Sequence, residues 1–423
     1  MRNVKITVDE NKVLGPIKPL NGVNNGPRSI YDGQKFLFDA SSFFQEAEIE
    51  RVRLHDVEYP FGGELFVDYE CIFPNFDADA NDPASYRFEE SDRYLAAIVG
   101  AGAKILYRLG VSIEGQRVKR FIGGPRDFGK FAQICEHIVA HYAYGWKRGF
   151  YYKDILWEIW NEPNGQNDMW TQGNEKYAEM YAVTAKHLKS VYPDEKVGGP
   201  TVSYITGELW PNCQLLLDAF KDMLKKNPDV PLDFFSWHNY AMDPRDVVRC
   251  AGIAKALCEE CGRPDAMLVM DEWNYVEDWS NLQPSLEQNH IQKGAAFVAA
   301  NFITMQSTAL QESSYYSAQI WPGAKDGDYR TGWNGLYRVV NGRLETMPPY
   351  QAFLAWRDMR RLGEQIETSV TGSDDVYAVA ATDGTNAGAY FVNFSEETLE
   401  AEFRGESFLM EPWAIVARGW KLS

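Results

Sequence analysis

The chain has 423 residues, with 42 Lys and Arg against 60 Asp and Glu, a formal net charge of −18. Such an acidic surface repels phosphate backbones and anionic headgroups, so nucleic-acid binding and membrane-surface binding are not expected. Aromatic residues make up 14% of the chain, which excludes a disordered polymer, and the length suits a (β/α) barrel of roughly 250 residues with appendages.

The N-terminal run from Met1 to Glu10 alternates like a strand and lacks the apolar core of a secretory signal, which favours a cytoplasmic location. The longest apolar run, from Gly294 to Met305, is broken by Asn301 and Thr304, short of the ~18 residues of a membrane span. Six scattered cysteines do not make a disulfide framework. Cys258-Glu-Glu-Cys261 has the spacing of half a zinc site without a second half, so ordinary thiols are expected.

From about residue 17 to residue 361, short β-branched or aromatic runs alternate with longer amphipathic ones. Strands are predicted at 20–24, 51–55, 104–109, 156–161, 196–199, 234–237, 267–271 and 315–320. The third to eighth are separated or followed by helical patterns at 127–143, 174–191, 213–226, 244–261 and 288–310, and another helix at 92–101 precedes the third. Eight strands alternating with helices favour a closed parallel (β/α)8 barrel, the TIM-barrel architecture, over an open doubly wound sheet. Asn21-Gly-Val-Asn-Asn-Gly-Pro27 after the first strand has neither the Rossmann nor the P-loop spacing. Past residue 361 the pattern becomes all-β, with strands predicted at 376–381, 388–393, 399–403 and 413–417. Four strands do not easily close a core alone, and the alternating run 4–8 is the natural addition. The expected organisation is an N-terminal strand in residues 1–16, a barrel in 17–361, and a small β-sandwich built from 362–423 together with that strand.

Active sites of such barrels lie at the C-terminal ends of the strands. The fourth strand reads Leu156-Trp-Glu-Ile-Trp-Asn-Glu-Pro-Asn164 and the seventh Met267-Leu-Val-Met-Asp-Glu-Trp-Asn274, each sending a Glu to the mouth with Trp and Asn close by in sequence. Two carboxyls converging there are what glycoside hydrolysis requires, one to protonate the leaving oxygen and one to attack the anomeric carbon or activate water. Trp321, Trp170, Tyr204 and Trp333 are candidate platforms for the apolar face of a sugar. By strand parity Glu158 points into the barrel about 13 Å below Glu162, as a structural group paired with an Arg, whereas Asp271, opposite in parity to Glu272, faces the helices. Arg53 and His55 share parity on strand two, and His238 and Tyr240 on strand six. No His-x-His or HExxH pattern occurs, so neither a metal nor another cofactor is expected.

These motifs, taken in order, resemble glycoside hydrolase family 39, the β-xylosidases and α-L-iduronidases, within the clan of retaining (β/α) barrels. The resemblance is carried by Asn21–Arg28, Arg51-Val-Arg-Leu-His-Asp56, Trp157–Asn164, Phe235-Ser-Trp-His-Asn-Tyr240 and Asp271–Asn274, five strand ends over roughly residues 18 to 275. The eighth, Tyr315-Tyr-Ser-Ala-Gln-Ile-Trp-Pro322, departs from the xylosidase pattern. The resemblance implies that Glu162 is the general acid/base, Glu272 the nucleophile, and Asn161 a ligand of the sugar 2-hydroxyl. Arg53 and His55 would reach the mouth together, Tyr240 would hydrogen-bond Glu272, and His238 and Trp321 would touch substrate. The expected protein is a retaining exo-glycosidase that releases a terminal pentose, β-linked xylose, from short oligosaccharides. Its alternatives are an α-L-arabinofuranosidase or β-galactosidase-like enzyme on the same machinery, and a carbohydrate-binding barrel without catalysis. Its partner is a carbohydrate, and the sheet edges of the sandwich would allow a homo-oligomer.

Overall fold

The computed structural model describes residues 2–31, 36–55, 67–112, 119, 122–318, 333 and 335–422. Eight parallel strands close a barrel in chain order: Gly22–Asn24, Arg51–Leu54, Lys104–Leu109, Leu156–Ile159, Lys196–Val202, Phe234–Ala241, Met267–Tyr275 and Glu312–Tyr315. The eighth pairs with the first through Ser314 and Tyr315 against Gly22 and Val23. Leu106, Leu156, Phe234 and Val269 project inward by alternation and form a separate apolar cluster low in the barrel. Gly198 lets the fifth strand approach there, because a Cβ at that position would lie 2.3 Å from the Phe234 carbonyl oxygen.

The helices outside are amphipathic and well terminated. Asn174–Val191 buries Tyr177, Ala178, Tyr181, Ala185 and Leu188, a stripe at helical spacing against the strands. Phe128–Tyr144 starts where the Asp127 side chain accepts from the Lys130 amide, and it stops at Gly145, whose φ of 74° suits glycine. Among the described residues no helix is long and apolar enough to cross a membrane.

Seven further strands form one sheet in the order Glu406–Met410, Leu399–Phe403, Arg2–Pro16, Glu364–Thr371, Val376–Thr382, Asn386–Asn393, Ile415–Lys421. Neighbours are antiparallel except Arg2–Pro16 beside Leu399–Phe403. Phe391 and Phe403 stand four strand positions apart, yet their ring centroids are 4.8 Å apart. The sheet therefore folds over on itself around Val4, Ile6, Ile366, Phe391 and Phe403, as a sandwich does. It meets the barrel at Tyr390, whose hydroxyl donates to the Ala299 carbonyl at 3.3 Å.

Several elements differ from the sequence reading. The strands Glu364–Thr371 and Glu406–Met410 are additional, both largely solvent-facing and therefore weak in hydrophobic alternation. The helix Tyr350–Leu362 is also additional, although Ala352, Phe353, Trp356 and Met359 give it an apolar face. The helix foreseen over 288–310 is the shorter Gln292–Gln306, and a separate short helix, Leu282–Gln288, precedes it. The eighth barrel strand runs Glu312–Tyr315 rather than from Tyr315 onward. Its polar residues are tolerated inside because Arg51 holds Glu312 at 2.5 Å and the Trp273 indole donates to Ser313 Oγ at 3.2 Å.

Candidate active site

Arg53, wholly buried on the second strand, organises the barrel mouth. Its Nη1 donates to Glu272 Oε2 at 3.1 Å and to Asn24 Oδ1 at 3.1 Å. Nη2 donates to Asn161 Oδ1 at 2.6 Å and to Thr201 Oγ1 at 3.1 Å, and Nε to Glu158 Oε2 at 2.7 Å. Burial alone would weaken this cation, but Glu158, Asp271 and Glu272 together raise its proton affinity above the ordinary arginine value. A planar fork of five N–H donors is what lets one side chain fix five others.

Glu162 sits just past the fourth strand, where the chain turns sharply. Trp160 has φ 74° and Glu162 φ 42°, left-handed values that a bulky residue adopts only when its surroundings impose them. They are imposed by the Trp160 indole, which donates to the Met169 carbonyl at 2.9 Å, and by the Glu162 amide, which donates to the Thr201 carbonyl at 3.0 Å. The turn leaves the Glu162 side chain 20% exposed at the mouth, with Oε1 2.8 Å from His238 Nδ1.

Glu272 is deeper, 8% exposed, and accepts from the Tyr240 hydroxyl as well as from Arg53. Burial pushes its proton affinity up, and Glu162 adds to this. His238, Arg53 and the Tyr240 hydroxyl oppose the rise. His55 Nε2 lies 4.0 Å from Glu272 Oε2. Burial, with Arg53 and Arg108 nearby, lowers the His55 proton affinity well below the usual imidazole range, so His55 is neutral.

Asp271 does not face the helices. The seventh strand is bulged, with Met270 opposite Trp237 and Glu272 opposite His238, consecutive residues of strand six. The extra residue breaks the alternation, so Asp271 and Glu272 both enter the barrel. Asp271 Oδ2 accepts from Thr201 at 2.9 Å and lies 3.2 Å from Arg53 Nε. Burial disfavours its charge, but Arg53 and His238 outweigh burial and hold Asp271 below the ordinary carboxylate range.

The position of His238 also differs from the sequence expectation. Its side chain is fully buried and turned to Glu162, rather than lining the open cleft. The only proton of the Thr201 hydroxyl goes to Asp271, so the 3.0 Å contact between Thr201 Oγ1 and His238 Nε2 requires Nε2 to be the donor. Burial would strip the His238 charge, yet Glu272, Asp271 and Glu162 raise its proton affinity well above the usual value. Glu162, His238 and Glu272 present metal-ligating atom types within 4.8 Å of one another. With both ring nitrogens engaged and the imidazole protonated, that trio is built for proton chemistry rather than for holding an ion.

Glu162, Glu272, Asn161, Arg53, His55, His238 and Tyr240 thus gather at one barrel mouth, and Trp321 lies outside the described residues. Trp170 and Tyr204 are core, the first inside the fourth-strand turn and the second bonded to Asp246 at 2.7 Å. The aromatic wall that does flank Glu272 has Trp279, whose ring lies 5.2 Å from both Trp210 and Tyr240, and Trp333, 5.2 Å from Tyr240. Thr201, Asp271, Trp210 and Trp279 are the contributors that sequence reasoning missed. The Asp-Trp at 278–279, five residues past the seventh strand's Trp273, was an available signal for the last.

The family model described as "Glycosyl hydrolases family 39" matches residues 4–392. A β-xylosidase of Caldicellulosiruptor saccharolyticus is 25% identical over 330 residues, which are 73% of this chain and 62% of that protein. The chain therefore spans less than two thirds of that relative's length. Among solved structures, a glucosidase from Croceicoccus marinus superposes with a TM-score of 0.70 at 23% identity, covering 97% of this chain and 83% of the other. A monomeric β-xylosidase from Caulobacter crescentus superposes at 0.67 with 17% identity, covering 95% and 83%. With the family match running from the N-terminal strand through the barrel into the C-terminal sheet, the chain belongs to glycosyl hydrolases family 39.

Proposed function

We propose that the chain is a retaining glycoside hydrolase that removes a terminal β-linked xylose from short oligosaccharides, with Glu272 as nucleophile and Glu162 as general acid/base. The observation that carries this reading is the pair of carboxyls across the mouth, one oxygen of each lying within 4.8 Å of the other. Retention needs a separation of about 5–5.5 Å, whereas inversion needs about 6.5–9.5 Å to admit a water. A Glu272 oxygen attacks the anomeric carbon as the glycosidic C–O bond breaks and Glu162 gives its proton to the departing oxygen. In the second step a water loses a proton to Glu162 and attacks the same carbon, releasing Glu272 as carboxylate. Arg53 and Tyr240 hold Glu272 in line and favour its ionised form.

Asn161 supports the same reading. Its Oδ1 is taken by Arg53, while its buried Nδ2 has no partner among the described residues and can donate to a sugar hydroxyl. The β-linked xylose rests on the β-xylosidase relative. The test is a panel of aryl glycosides. Turnover of the β-xyloside above all others is the expected outcome. Preferred turnover of an arabinofuranoside would keep the machinery and replace the sugar, and binding without turnover would overturn the proposal.

Two predictions arise here. Tyr240→Phe removes a hydrogen bond that stabilises ionised Glu272, so the acid limb of the kcat/KM profile moves up by about one pH unit. A limb that stays, or moves down, would mean that Glu272 is not the group titrating there. Trp279→Ala, at a ring 39% exposed beside Tyr240, raises KM for xylo-oligosaccharides while leaving kcat nearly unchanged. The rise should be about 3–10-fold, as loss of one stacking face implies.

A further inference from the structure

Two more carboxyls, Glu158 and Asp271, lie beneath the reacting pair and take no part in the displacement steps. Both are fully buried. Arg53 Nε contacts one oxygen of each, Glu158 Oε2 at 2.7 Å and Asp271 Oδ2 at 3.2 Å, and Thr201 donates to that same Asp271 oxygen. The other oxygens, Glu158 Oε1 and Asp271 Oδ1, are buried with no donor among the described residues. The two side chains nevertheless meet at a single N–H, Arg53 Nε, which lies within hydrogen-bond reach of one oxygen of each. Ionised carboxylates are acceptors only, so two of them at one N–H, each with an orphaned oxygen, leave both unsatisfied and repelling. One proton placed between them removes both faults.

We propose that Glu158 and Asp271 hold a single proton between them, residing on Glu158, so that the barrel floor is a carboxylic acid bonded to a carboxylate. The charged and titratable groups facing the pair are consistent with that placement. Arg53 from strand two touches both, and His238 from strand six lies 3.7 Å from Asp271 Oδ2. Tyr177, from the helix behind strand four, spends its hydroxyl proton on the Ile159 carbonyl at 2.9 Å. The cations thus favour Asp271 as the ionised member, while burial pushes Glu158 up.

The proton has a consequence for the mouth, which rests on the role proposed for Glu272. A neutral Glu158 leaves the Arg53 charge to be divided between Asp271 and Glu272, so the nucleophile stays ionised in a site that would otherwise protonate it. Glu158 is in this sense a positioning residue, acting through Arg53.

Neutron diffraction from the unsubstituted chain, exchanged into deuterated buffer near pH 8, reads the proton directly. A deuteron on a Glu158 carboxyl oxygen, shared with the Asp271 carboxylate, is expected, and its absence would overturn the proposal whatever the enzyme turns over. The second readout is the pH profile of Glu158→Gln, which substitutes a neutral donor for a neutral donor. The acid limb should remain within about 0.3 pH unit of its original position. A downward move of about one unit would mean that a negative charge had been removed, and that Glu158 is ionised.

Discussion

Glu272→Ala is expected to lose activity on every glycoside, activated or not, by on the order of 10⁴-fold or more. A nucleophile takes part in each turnover, and no neighbouring oxygen can replace it. Asp271 is committed to Thr201 and Arg53, and His55 is neutral and 4.0 Å away. The alanine also opens a space beside Arg53 Nη1 and the Tyr240 hydroxyl, two donors that each lose the acceptor Glu272 supplied. A small anion fits that chemistry, so azide should restore part of the rate by attacking from the nucleophile side. The product is then a glycosyl azide of inverted configuration, identified by its anomeric proton coupling. Near-normal turnover in Glu272→Ala, or an azide product of retained configuration, would remove Glu272 from the role.

Glu162→Ala should behave differently, because an acid matters in proportion to how poor the leaving group is. On xylo-oligosaccharides the loss should be about 10³-fold or more, and on dinitrophenyl xyloside the first step should be nearly untouched. Deglycosylation has lost its base, so the activated substrate should give a burst followed by slow turnover, with the glycosyl-enzyme visible by mass. Azide entering from this face would give a product of retained configuration. A uniform loss across leaving groups would mean that Glu162 positions the substrate and is not its acid. Exposure supports the division between the two residues, since Glu162 is 20% exposed beside the leaving-group opening and Glu272 8% exposed beneath it.

The barrel was legible because its strands and helices differ in hydrophobic period, 2 against 3.6, and because each strand end carries a concentrated set of polar and aromatic residues. Glu162 and Glu272 stood out as acids close to Trp and Asn at two strand ends. What escaped was geometry that no period encodes. The bulge at Asp271 inserts one residue into a register otherwise predicted by counting, and it converts an outward acid into part of the barrel floor. His238 could be assigned to the mouth by parity, but not to Glu162 rather than Glu272, because the choice depends on the left-handed turn at Trp160 and Glu162. The eighth strand was read late since Glu312-Ser-Ser looks like a loop until Arg51 is known to pair with it. Among the aromatics, type alone could not separate core from cleft. Trp170 packs edge-on against Trp160 at 5.1 Å, whereas Trp279 stands half open beside Tyr240.

The central claim, that two glutamates act in a double displacement with retention, is tested most directly by following hydrolysis of a β-xyloside by NMR before the free sugar mutarotates. β-Xylose should form first, with the α-anomer growing in only at the rate of spontaneous mutarotation. If α-xylose is the first product, water has attacked directly, and Glu272 would be a base rather than a nucleophile.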